Sequence, residues 1–156
     1  MHIVERMIFV KERIEKIKSL SGPWMESYFY PPASDSDISE YEKKNNVIIP
    51  ESYKEFLLLS NGARIFGSDI CLYGVCGDIK YYVNYDFTEG LVPKQLLILG
   101  YYNDSHICYD SHEDIFVLYS EGEYENIREE CVIFDNFSEV LDFAIDVVDE
   151  EEEEEE

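Results

Sequence analysis

His106, Cys108 and Asp110 are the residue types from which a thiol nucleophile, its base and an orienting acid are made. Alternate residues of a strand share a face, so a strand here sets the three in one row. The same geometry argues against the chemistry. Neighbours on one strand face stand ~7 Å apart, whereas proton transfer needs roughly 3 Å between donor and acceptor. The other histidines offer little: His2 is terminal and His112 lies among turn formers. Carboxylates lie close together at Asp110, Glu113 and Asp114, and again at Asp78 and Asp86, but a chain with 35 Asp and Glu brings acids together without purpose. Acid–base work needs two carboxyls in opposed environments. A glycine-rich phosphate loop, an EF-hand spacing and an H-E-x-x-H are all missing from the sequence. Cys71 and Cys76 are five apart with no second pair at zinc-site spacing, and Cys108 and Cys131 sit in apolar runs. The reading is therefore no enzyme, no cofactor and no metal, with free cysteines in a reducing, cytoplasmic setting.

The alternative to chemistry is binding. The formal charge of −23 is unevenly placed: residues 1–64 carry nine Lys and Arg against ten Asp and Glu, and residues 65–156 carry three against twenty-five. Eight of those acids form the run 149–156, which repels itself and is expected to be a disordered tail. A field of this sign excludes nucleic acid and anionic membrane as partners and attracts basic proteins. Within the acidic half, Tyr73, Tyr81, Tyr82, Tyr85, Tyr101, Tyr102 and Tyr109 interleave with Asp78, Asp86, Asp104 and Asp110. Aromatic rings supply anchoring area at interfaces, and fixed charge steers the encounter. The partner-binding set is Tyr73, Asp78, Tyr82, Tyr85, Asp86, Tyr101, Asp104, Tyr109 and Asp110. Strand alternation requires that about half of the tyrosines face the core instead.

Helices and strands must position these groups. Ile3, Met7, Val10, Ile14 and Ile17 make one apolar helical stripe, which Gly22-Pro23 stops. The apolar start is interrupted by Glu5 and Arg6, so it reads neither as a signal peptide nor as a membrane span. Trp24 to Ala33, aromatic and closed by a double proline, reads as a stiff extended crossing. Ser34 with Asp37 opens a second helix through a box-like cap, with Ile38 and Tyr41 inward and Asn45-Asn46 at its end. A third helix runs between Pro50, placed in its first turn, and Gly62, placed in the left-handed position just past its end. Its buried stripe is Tyr53, Phe56 and Leu57. Beyond it the period becomes that of strands: 63–66, 70–73, 79–83, 95–102, 106–109, 114–119 and 131–134, with 88–92 as a helical turn or a loop. The last four strands follow at tight spacing, as in an antiparallel meander. Asn136 with Glu139 caps a closing helix whose inner face is Phe137, Val140, Leu141, Ala144, Ile145 and Val148. Residues 1–148 are expected to form a single domain.

This order of elements resembles the SUKH superfamily, the fold shared by fungal cell-wall synthesis regulators and many bacterial immunity proteins. The residues that carry the resemblance are Pro31-Pro32-Ala33, Ile38 with Tyr41-Glu42, Ile49-Pro50-Glu51-Ser52-Tyr53 with Phe56-Leu57, Asn61-Gly62, Leu72-Tyr73-Gly74, Leu97 to Gly100 and Ile107 to Asp110. Relatives often carry Asp-Gly-Gly-Asp between the two central strands, where this chain has Tyr101-Tyr102-Asn103-Asp104-Ser105. The resemblance implies an α+β domain, one curved antiparallel sheet backed by N-terminal helices and a C-terminal helix. It also implies a cytoplasmic antidote that binds and blocks a toxin, frequently a nuclease. The competing reading is a regulatory or scaffolding adaptor with several protein partners. The matching residues are architectural, so none is carried over as catalytic.

Overall fold

The computed structural model describes residues 4, 5, 7–9, 11, 12, 28–65, 70–88, 90–124, 130–143 and 146. The N-terminal residues among these are helical (α1), and Met7 of the expected stripe is buried. Ile3, Val10, Ile14 and Ile17 lie outside the described residues, as do Ala144, Ile145, Val148 and the acidic run 149–156. The chain then builds β1 (Tyr28–Phe29), α2 (Asp35–Asn45), α3 (Glu51–Leu57), β2 (Ala63–Ile65), β3 (Ile70–Leu72), β4 (Leu96–Tyr102), β5 (Ser105–Asp110), β6 (Ile115–Tyr119) and β7 (Val132–Phe134). Helical residues 137–143 close it as α4. Each strand pairs antiparallel with the next, giving one open seven-stranded sheet in chain order. The α+β architecture is thus the expected one.

Local chemistry accounts for the helices. Ser34 Oγ accepts from Asp37 N at 3.1 Å while Asp37 Oδ2 accepts from Ser34 N at 3.0 Å, the reciprocal box that satisfies two otherwise orphaned donors. Asn46 ends α2 in the left-handed region at φ 53°. Asn136 Oδ1 accepts from Glu139 N at 3.3 Å at the start of α4, again as the sequence requires. Two terminal readings are corrected around α3. Pro50 is its N-cap, extended at ψ 147°, and not a first-turn residue. Gly62 lies beyond the turn that follows Leu57 and has a packing reason as well as a conformational one. At φ +96° it leaves room for β3, since a Cβ there would stand 2.6 Å from Leu72 O.

The helix-facing core is aromatic. Tyr53, Phe56 and Phe137 meet with ring centroids 4.7–5.4 Å apart, and Phe116 of β6 joins Phe137 at 6.0 Å. Tyr102 packs edge-on against Phe143 of α4. Tyr53 is fully buried, and its hydroxyl donates to the carbonyls of Tyr73 and Leu99, which ties α3 to the chain beyond β3. Asn61 pins the same region: its Oδ1 accepts from Val75 N at 2.8 Å and its Nδ2 donates to Cys76 O at 2.7 Å.

Two strand readings change. The aromatic segment before the double proline contributes β1, which pairs with β2 through Tyr28↔Arg64 and Phe29↔Ala63. Residues 79–83 do not form a strand; one parallel bridge, Gly74↔Tyr82, is their only ladder contact among the described residues. They belong to an excursion between β3 and β4 that satisfies the part of β4 left open by the short β3. Tyr73 N donates to Leu99 O, Asn84 N donates to Ile98 O, and Ile98 N donates to Asn84 Oδ1. The hydrogen bonds a strand would have taken there are made by a loop.

Candidate functional site

The register settles which side chains share a face. His106 stands opposite Tyr101 and Tyr119, Cys108 opposite Ile98 and Val117, and Asp110 opposite Leu96 and Ile115. The row expected from strand parity therefore exists. It points away from the helices, because Tyr109, of opposite parity, pairs with Phe116, which packs on α4. A β-bulge at Leu99 resets the parity of β4, so that Tyr101 joins His106 while Tyr102 faces Phe143.

This row is buried and occupied. Asp110, 2% exposed, accepts from Tyr124 Oη at 2.8 Å and from the backbone N–H groups of His112 and Glu113 at 3.0 and 3.3 Å. Burial pushes the Cys108 thiol well above its ordinary range, the opposite of what a nucleophile needs. Cys71 is pushed up to about 12, and Cys76 and Cys131 are raised, all by burial first. All four cysteines are free. His106 stacks on Phe87 at 4.2 Å and 13°, with Nε2 4.0 Å from Asp86 Oδ1. Burial lowers its pKa, and the Asp86 carboxylate opposes that in part. Among the described residues no three His, Cys, Asp or Glu side chains converge on a metal position. No helix among them is long and apolar enough to cross a membrane.

The excursion 73–95 roofs this face of the sheet with aromatic rings. Tyr73 is buried beneath Tyr81, Tyr85 and Tyr101 at 5.7, 6.0 and 6.2 Å, Tyr81 stacks on Tyr85 at 4.6 Å, and Phe87 meets Tyr101 at 5.9 Å. The outer surface of the roof is apolar: Tyr82, Tyr85, Phe87 and Leu91 are all exposed. Beside Tyr82 runs a cleft of about 540 Å³, floored by Tyr41 and Cys76 and edged by Asp37, Glu40 and Lys44. Tyr41 Oη donates to Val83 O and Tyr82 Oη to Gly77 O, which fixes both cleft walls.

The nine residues named from sequence separate accordingly. Tyr85, Tyr101 and Tyr73 come together in the roof, with Tyr73 inside it, and exposed Asp78 and Tyr82 lie in the same excursion. Asp104 is exposed in the turn between β4 and β5. Tyr109 is on the helix side, its hydroxyl donating to Asp114 Oδ1 at 2.7 Å, and Asp110 is interior. Burial removes Tyr73 and Asp110 from any surface set. Asp86, half-buried, also holds a loop. Its carboxylate accepts from Thr88 N at 2.7 Å, Thr88 Oγ1, Gly90 N at 3.1 Å and Val92 N at 3.2 Å, folding the 86–92 loop around itself. Burial works against its ionisation, but those donors prevail and hold its pKa low. The described residues of 88–92 thus lie in a loop. Phe87 and Leu91, absent from the expected set, are presented by that loop. The available signal was Asp86 followed by Thr88 and Gly90, the composition of a turn closed on an Asp side chain.

Comparison with known proteins extends this geometry. A family model described as the SMI1 / KNR4 family (SUKH-1) matches residues 32–142. A Bacillus subtilis (strain 168) protein described as "Uncharacterized protein YnaB" is 37% identical over 86 residues, 55% of this chain. The match spans 56% of that relative's length.

Proposed function

Because the chain belongs to the SMI1/KNR4 family (SUKH-1), we propose that it is a cytoplasmic immunity protein which binds and occludes a cognate basic, nuclease-type toxin of a bacterial polymorphic toxin system. Members of this family often act as toxin-immunity proteins. The observation that carries the reading is the roof of exposed Tyr82, Tyr85, Phe87 and Leu91 over a half-molecule with twenty-five acids and three cations. A nuclease cleft that holds phosphates is positive, and an acidic surface with rigid aromatic rings competes for it. The carboxylates of Asp78 and Asp104 steer the approach, and the cleft beside Tyr82 receives a side chain of the partner. Occlusion needs no catalysis by the antidote. Asp86 serves the surface by holding its loop in shape.

The test is reconstitution with the C-terminal toxin domain encoded beside this gene. The expected result is a stoichiometric complex in which nuclease activity is suppressed. Replacing both Tyr82 and Tyr85 by Ala should weaken that complex by about 2 kcal/mol or more, the scale of aromatic anchors. A folded double variant that still protects at wild-type concentration rejects the surface. Loss of several unrelated partners on removing residues 149–156, with no toxin bound by the intact chain, supports the adaptor instead.

A further inference from the structure

An antiparallel sheet that does not close has two edges, and here they are treated differently. The first is only the two-residue β1, and Lys11 of α1 lies over its Phe29 ring at 4.9 Å. The other edge is β7, which pairs with β6 through Phe116↔Phe134, Val117↔Ile133 and Leu118↔Val132. Among the described residues no strand pairs with its outer side. Edge strands in soluble proteins are commonly protected by shortness, which β7 with its three residues shares, or by lysine, proline, a bulge or an inward charge. The sequence Val132-Ile133-Phe134 contains none of these residues, and its pairing with β6 is regular. Phe134 turns inward against Phe143 at 5.8 Å, while Val132 and Ile133 remain 51% and 43% exposed, one on each face of the sheet. Among the described residues the outer backbone groups of this edge thus have no strand partner, and apolar side chains flank them.

Charge chooses the occupant. Glu130 and Asp135 are exposed at the two ends of β7. In residues 95–156 the sole cation of the sequence is Arg128. A second copy of this chain would bring its own Glu130 and Asp135 to the same edge, and each molecule carries a formal charge of −23. We propose that β7 is a strand-addition site for an extended, positively charged segment of another protein. The added strand would lay apolar side chains beside Val132 and Ile133 and place lysine or arginine near Glu130 and Asp135. Main-chain hydrogen bonds would supply affinity, and the acids at both ends would fix the segment's register. The inference needs only the edge and stands independently of the toxin reading.

The probe is a seven-residue peptide of alternating Val and Thr with a lysine at each end. Its control is the same peptide N-methylated on alternate amides of the edge-facing side, which keeps charge and side chains but removes the donors. Titration calorimetry should show the control weaker by about tenfold or more, as expected for two or three lost backbone hydrogen bonds. The unmethylated peptide should slow amide exchange in residues 132–134, and Ile133→Asp, checked for its fold by circular dichroism, should bind it less well. Equal binding of both peptides reduces the effect to charge and overturns the proposal. So does an absence of binding, exchange protection confined elsewhere, or sedimentation as a dimer of the chain alone.

Discussion

The imidazole of His106 is enclosed between the ring of Phe87 and the sheet, and neither of its nitrogens is hydrogen-bonded among the described residues. Burial disfavours the imidazolium more than Asp86 at 4.0 Å favours it, so the folded pKa lies below the ordinary 6.5. On acidification the unfolded chain takes up this proton first. Stability should therefore fall as pH drops below about 6.5 and level off once the pH passes the lowered folded pKa. Urea unfolding between pH 8 and 5 should show this loss in the wild type and not in His106→Leu. An identical pH profile for both proteins rejects the neutral buried histidine. Phe56 makes a different case, because it is apolar and fully enclosed by Tyr53 and Phe137. Phe56→Ala should cost ~3–5 kcal/mol in the same assay, through lost contact and the cavity left behind. Toxin affinity of the folded fraction should not change, since the residue lies on the helix side.

Among the elements, the 86–92 loop joins local hydrogen bonding to the proposed surface. Three of its backbone N–H groups donate to one carboxylate, so Asp86 holds the shape of the loop together with the Phe87 ring stacked on His106. Asp86→Ala should speed amide exchange at Thr88, Gly90 and Val92 while the β4–β5 amides keep wild-type rates. Unchanged exchange across the loop removes Asp86 from the positioning role. α2 and α3 show the opposite relation between sequence and element. The reciprocal bonds of Ser34 and Asp37, and the 53, 56, 57 spacing, act within a few residues and are fully visible in the chain. Residues 79–83 carry the Ile, Tyr and Val of a strand, yet the backbone groups of β4 at Ile98 and Leu99 are satisfied by Asn84 and Tyr73.

For the whole molecule, the charge asymmetry predicts kinetics before it predicts affinity. Asp78→Lys combined with Asp104→Lys should slow toxin association and flatten its dependence on ionic strength, with a smaller effect on dissociation. Stopped-flow rates from low to physiological salt test this, and an unchanged salt slope in the double variant rejects steering. Asp110 lies outside this set, because it is buried and its carboxylate holds a turn.

The sequence by itself determined α2 and α3, the caps at Ser34 and Asn136, the switch to strand periodicity after Gly62, the family and the sign of the field. All of these rest on short-range geometry, on composition or on motif. It also placed His106, Cys108 and Asp110 on one face, because side chains alternate along any strand. Which face that was, and what covered it, depended on contacts far apart in the chain. The bulge at Leu99 decides which of Tyr101 and Tyr102 faces away from the helices, and the excursion from Tyr73 to Gln95 folds back over the first of them. Only the tertiary structure could separate buried Tyr73 and Asp110 from exposed Tyr82 and Tyr85, since residues of the same type differ there solely in what packs against them.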